Sequence, residues 1–163
     1  MKITVLCIGR IKENYWTLAL TEYQKRLSRY ADLRILELPD EPTPEGASPA
    51  EEEKIREREG EKMLRALEKI RGHGAKVVSL EIQGRKLDSV SLAEALGRDQ
   101  AAGVSHLILL IGGSLGLSER ISRAADLRLS FSDLTFPHQM MRVILLEQIY
   151  RCFRILNHEP YHK

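Results

Sequence analysis

Three stretches in the last third of the chain combine residue types at spacings that could do chemistry. The first is Gly112-Gly113-Ser114-Leu115-Gly116-Leu117-Ser118-Glu119. Glycines let a backbone approach a ligand closely or turn tightly, and for this run alone both readings stand. It is not a dinucleotide fingerprint, because G-x-G-x-x-G would need glycine where Ile111 stands. It also lacks the Gly-Lys-Ser/Thr ending of a phosphate loop. The second stretch is Ser130-Phe131-Ser132-Asp133-Leu134-Thr135-Phe136-Pro137-His138, where Pro137 favours an extended Phe136 and a helix start just behind it. Backbone without a ladder of its own could bond a flat ligand such as adenine, although a plain connecting loop would look the same. The third begins at His138 and Arg142, four residues apart and so on one face of a helix. It ends in Asn157-His158-Glu159-Pro160-Tyr161-His162-Lys163. There Tyr161 offers a stacking face to a base, and His158, His162 and Lys163 offer donors. The His158/His162 pair has no helix across Pro160 and no further ligand nearby, so no metal site is expected.

Strands and helices must alternate to position these stretches. Lys2–Ile8 reads as a strand, followed by a helix with Leu18, Ala19, Tyr23, Leu27 and Tyr30 at helical spacing. A second strand over residues 33–38 runs into a proline-marked loop holding Pro39, Pro42, Pro44 and Pro49. Ser48-Pro49-Ala50-Glu51 signals a capped helix start. The helix expected over residues 51–71 has Ile55, Met63, Leu67 and Ile70 on one side, and its many charges read as a solvated face. Residues 76–82 form the third expected strand, 91–102 a helix closed by Gly103, and His106–Ile111 a buried central strand. A helix near Glu119, a short strand over 127–129 and a helix over His138–Leu156 complete the chain. The class is α/β, with a mainly parallel sheet flanked by helices. The last helix is apolar around most of its circumference, so it is either the core of a monomer or packed on one side by the sheet and on another by a second copy.

A chain of 163 residues at 43% hydrophobic composition suits one domain, 1–163. No apolar run approaches a bilayer span and no signal-peptide pattern opens the chain, so a cytoplasmic protein with no membrane partner is expected. Cys7 and Cys152 lie in apolar segments and read as buried free thiols. The net charge of +2 resides in residues 138–163, where Arg142, Arg151, Arg154 and Lys163 stand against Glu147 and Glu159. A polyanion contact there, or chance, would give that count.

The three stretches in this order resemble the RlmH family of SPOUT-class methyltransferases. The likeness extends to Ile8-Gly9-Arg10, Thr21-Glu22-Tyr23-Gln24-Lys25-Arg26, Glu59-Gly60-Glu61-Lys62-Met63 and Leu80-Glu81-Ile82-Gln83-Gly84, and so covers nearly the whole chain. The resemblance implies a homodimer that uses S-adenosyl-L-methionine to methylate N3 of a pseudouridine in a hairpin loop of 23S rRNA, in the ribosome. It also implies a trefoil knot around the cofactor, which ordinary chain connectivity would not suggest. By position, the family's cofactor contacts fall on Leu80, Gly113, Ser132, Asp133, Leu134, Thr135, Phe136 and Pro137. Ser114-Leu115 departs from relatives that carry a proline or an acid there. Arg142 is expected to steady an RNA phosphate or a developing oxyanion. His138 is expected either to accept a proton or to bond its own backbone at the helix start. Arg10, His158, Tyr161 and His162 are the remaining RNA candidates, with residues 157–163 as a tail that in the family reaches the partner's site. The alternatives are a non-catalytic ribosome-binding factor and a related methyltransferase acting on another RNA.

Overall fold

The computed structural model describes residues 1–163. Five strands, β1 (Lys2–Ile8), β2 (Asp32–Leu38), β3 (Ala75–Lys86), β4 (His106–Ile111) and β5 (Leu127–Ser130), form one sheet in the order β2-β1-β4-β3-β5. All four neighbouring pairs are parallel. A parallel sheet is covered on both faces, which is why β4 is buried at every residue and β1 from Ile3 onward.

The helices divide between the faces, and the strand side chains alternate accordingly. Ile3, Val5, Cys7, Leu107, Leu109 and Ile111 point to a core shared with α1 (Asn14–Leu27), α3 (Ser89–Ala101) and α5 (His138–Leu156). Leu6, Ile8, Ile108 and Leu110 point to a second core closed by α2 (Pro49–Ile70) and α4 (Glu119–Ala124). The chain therefore changes faces between α4 and α5, and residues 131–137 make that crossing. No helix is long and apolar enough to cross a membrane.

Local signals act as expected at α2, where the Ser48 hydroxyl accepts from the Glu51 amide, the Glu51 carboxylate accepts from the Ser48 amide, and Pro49 occupies the first turn. Two expectations change. In α1 the buried residues are Leu20 and Leu27, whereas Leu18 is 62% exposed and Tyr30 lies past the helix, stacked on Phe153 at 5.4 Å. The strand expected over 76–82 continues to Lys86, because Leu129 pairs with both Leu80 and Arg85 and residues 81–84 bow out between. Within the chain, α1 and α3 flank α5. Cys7 and Cys152 are free and buried, and burial pushes both thiols up to about 12, which leaves them inert.

Candidate functional site

A cleft of about 960 Å³ opens at the carboxyl ends of β3, β4 and β5, where open parallel sheets generally receive ligands. Leu80 and Ile111 contribute strand ends, residues 112–117 one rim, and Ser132 with residues 134–138 the other. Seven of the eight residues expected at a cofactor line this one space: Leu80, Gly113, Ser132, Leu134, Thr135, Phe136 and Pro137. Asp133 does not. It is exposed on the outside of the loop and ion-paired with Lys86.

The glycine rim is a tight hairpin in which the Gly116 amide donates to the Gly113 carbonyl at 3.1 Å and Gly116 holds φ at 80°. A Cβ on Gly112 would lie 2.5 Å from the Gly116 carbonyl group, so the turn closes only on glycine. Gly113 has a different reason to lack a side chain: a Cβ there would meet Glu59 Oε2 at 3.0 Å and Ile8 Cγ2 at 3.1 Å. Its side-chain direction is filled by protein and not by the cleft. Across the cleft, residues 131–136 take part in no backbone-to-backbone hydrogen bond. Ser132 shapes the loop by accepting from the Leu134 amide at 3.0 Å, and the Ser130 hydroxyl donates to the Ser132 carbonyl at 3.2 Å. The remaining main-chain groups are free for a ligand.

His138 lines the cleft at the first turn of α5. Its ring lies against Gly9, whose φ of 86° folds the chain past the end of β1; Nε2 is 3.2 Å from where a Gly9 Cβ would sit. Burial and then the Arg142 charge hold the imidazole below its ordinary pKa, against an opposing pull from Asp40 and Glu13. The ring is therefore neutral at neutral pH and can accept a proton.

Arg142 does not sit where an RNA phosphate could meet it. The side chain is fully buried and its fork is spent inside the chain, with Nη1 donating to Glu37 Oε1 at 2.7 Å and Nη2 to the carbonyls of Ile8 and Gly9 at 2.8 Å each. Four-residue spacing put His138 and Arg142 on one face, but that face turns inward one helical turn past the cleft. The tail is likewise engaged within its own chain. Tyr161 packs edge-on against Tyr150 at 5.1 Å, lies under the Arg151 guanidinium and donates to Glu147 at 3.2 Å, so its ring is not a free stacking face. Glu159 is held by Arg154 and by the Tyr30 hydroxyl, both at 2.6 Å, and His162 Nδ1 lies 3.5 Å from Arg151. His158 is exposed with φ at 54°. Arg10 is exposed just beyond β1, with no carboxylate partner.

Two polar residues at the site were not singled out by the sequence reading. Glu37 is the buried arginine's partner, and no local pattern marks it. Glu59 was included with the solvated charges of α2, yet it is only 5% exposed. A signal existed: Ile55, Glu59, Met63 and Leu67 recur at intervals of four, so Glu59 interrupts the apolar stripe. Burial raises its carboxyl pKa, partly countered by the Glu41 amide bonded to Oε1 at 2.9 Å, with Asp40 raising it further.

A family model described as a predicted SPOUT methyltransferase matches residues 1–162. A protein of Methanococcus maripaludis named putative ribosomal RNA large subunit methyltransferase H is 52% identical over the full length of both chains. Proteins named ribosomal RNA large subunit methyltransferase H from Bifidobacterium animalis subsp. lactis and Alkaliphilus oremlandii are 52% and 48% identical, again over all of both chains.

Proposed function

The chain belongs to the SPOUT methyltransferase family, and from that premise we propose that it is a ribosomal RNA methyltransferase, acting from S-adenosylmethionine on N3 of a pseudouridine in a hairpin loop of 23S rRNA. The observation that carries the reading is the cleft itself: it brings an apolar strand end at Leu80, a glycine hairpin and an unladdered backbone segment around one space large enough for a nucleoside. The names borne by full-length relatives supply the RNA class. The same reading includes the trefoil knot, which membership of the SPOUT family supports.

When bound, S-adenosylmethionine supplies a methyl carbon on a sulfonium, already activated toward a nucleophile. The chain's work is then placement and proton removal. Leu80 and Phe136 cover flat faces and exclude water. The free amides and carbonyls of residues 131–136 bond the edge of a base in the way a flat heterocycle requires. N3 of a pseudouridine carries a proton that must leave as the bond to carbon forms, and the neutral imidazole of His138 is the acceptor in this reading. Arg142 serves at one remove, fixing the end of β1 and lowering the His138 pKa.

A homodimer is part of the proposal. Tyr15 and Leu18 stand exposed on α1, and Met140 and Ile144 are half-buried on α5, which gives a second copy an apolar surface to cover. Calorimetry of the purified protein with S-adenosylmethionine tests the cofactor; no measurable heat of binding would remove the methyltransferase reading. Mass spectrometry of 23S rRNA from a deletion strain tests the substrate. The expected result is loss of one methyl group from a pseudouridine, and a strain that keeps it would refute the assignment.

A further inference from the structure

Beneath the glycine hairpin the chain keeps two buried polar atoms without partners. Glu59 Oε2, on the apolar side of α2, is one; Ser118 Oγ, at the start of α4, is the other. They flank the two ends of the same loop. Glu59 abuts Gly113, and its neighbour Gly60 lies so close that a Cβ would overlap Ser118 Oγ at 2.2 Å. Buried polar groups are almost always paired, and a carboxyl on an apolar stripe is costly without a bond to each oxygen. Only Oε1 has one, from the Glu41 amide. The hairpin that abuts Glu59 at Gly113 also holds unmet donors, because the amides of Ser114 and Leu115 have no acceptor within the chain. Nothing in methyl transfer as derived above uses Glu59.

We propose that Glu59 is a positioning residue that acts through Gly113: the hairpin over residues 113–117 has a second, ligand-engaged position in which its amides bond Glu59 Oε2, so that α2 fixes the height of the cofactor rim. The inference rests on the S-adenosylmethionine reading for the identity of the ligand but not for the coupling between Glu59 and the hairpin. Glu59 is tied to the loop before α2 through Glu41, and Lys62 ion-pairs Glu41 at 2.5 Å. The same carboxyl thus touches both loops.

The test compares the wild type with Glu59→Gln, Glu59→Asp and Glu59→Ala by calorimetry with S-adenosylmethionine and by hydrogen exchange of residues 112–118, well below each protein's melting temperature. Glu59→Gln keeps the reach but offers one acceptor oxygen where Glu59 offers two, so Glu59→Gln, Glu59→Asp, shorter by one methylene, and Glu59→Ala should each bind about tenfold more weakly. In all three variants the 112–118 amides should exchange faster, with and without ligand. Wild-type affinity together with wild-type exchange in Glu59→Asp overturns the proposal even if Glu59→Ala fails to fold. A wild type that binds no S-adenosylmethionine would overturn the methyltransferase reading instead, and the exchange rates without ligand would still decide the role of Glu59.

Discussion

Replacing Arg142 separates two physical roles that the same sequence position could have had. The guanidinium is fully buried and donates to Glu37 and to two main-chain carbonyls. Arg142→Met keeps most of the apolar stem and removes every one of those bonds. It leaves the Ile8 and Gly9 carbonyls without their donor at about 1–3 kcal/mol each, while Glu37 retains only the Ile11 amide. Breaking a buried pair on one side costs about 3–5 kcal/mol in all, so the individual penalties overlap and do not sum. For a chain of this size each kcal/mol moves the melting temperature by about 2–4 °C, which places the expected drop at about 6–20 °C. Arg142→Lys retains the charge but loses the planar fork and should lose about half as much. Urea unfolding at matched protein concentration measures the loss, with an unchanged m-value as the condition for reading it. Salt dependence of RNA binding then discriminates. A phosphate contact contributes about 0.7–0.9 to the slope of log affinity against log salt, and a buried structural arginine contributes none. A folded Arg142→Met protein with wild-type stability and a slope reduced by about one would refute the structural account.

Gly60→Ala should destabilise the protein, because overlap of the new methyl with Ser118 Cβ at 2.9 Å costs about 1–3 kcal/mol and exceeds the roughly 1 kcal/mol that alanine gains over glycine in a helix; a melting temperature above wild type would contradict it. His138 has its pKa lowered in the fold, so its contribution to stability is present above about pH 6.5 and is lost as pH falls through the folded value. Between about pH 7 and about pH 5 the urea midpoint of His138→Gln should therefore fall less than that of wild type; His106, also lowered by burial, acts equally in both proteins, and parallel curves would show that burial does not hold His138 down. Truncation after Asn157 removes the Tyr161 and Glu159 anchors but no residue of the cleft. It should leave S-adenosylmethionine affinity unchanged and slow methyl transfer to RNA by at least about a hundredfold, and an undiminished single-turnover rate would exclude the tail from the reaction.

The fold was legible wherever the signal is local or strictly periodic. The run from His106 to Ile111 marks a strand buried on both faces, and Ser48-Pro49-Ala50-Glu51 marks a helix start to within a residue because capping is decided by neighbours in sequence. What failed depends on which elements lie side by side. Leu18 and Leu20 are equally apolar, and only the position of α5 decides that Leu20 is the one covered. Arg142 shows the same limit: its charge and its spacing from His138 were visible, but the acceptors that consume it, in β1 and β2, come from the opposite end of the chain. The residues at the cleft were named from the resemblance and not from spacing. Glu59 could have been found without it, because a carboxylate at the four-residue interval of an apolar stripe is a local anomaly.

The buried arginine and the docked tail bear on how RNA is engaged. Arg56 and Arg128 line the cleft, and each faces a carboxylate: Arg56 pairs with Glu53 at 2.5 Å and Arg128 with Glu81 at 3.1 Å. With Arg142 internal, the cleft presents little uncompensated positive charge, yet affinity for a polyanion comes chiefly from such charge. Arg10 and Lys12, exposed and without carboxylate partners just past β1, lie on the His138 side and supply some of it. In the homodimer proposed above, Lys163 of a second copy would add to it. The ties of Tyr161 to Glu147 and of Glu159 to Arg154 fix the root of that tail on its own α5. They leave Lys163 outward, which is the orientation needed if one protomer's terminus is to complete the cleft of the other.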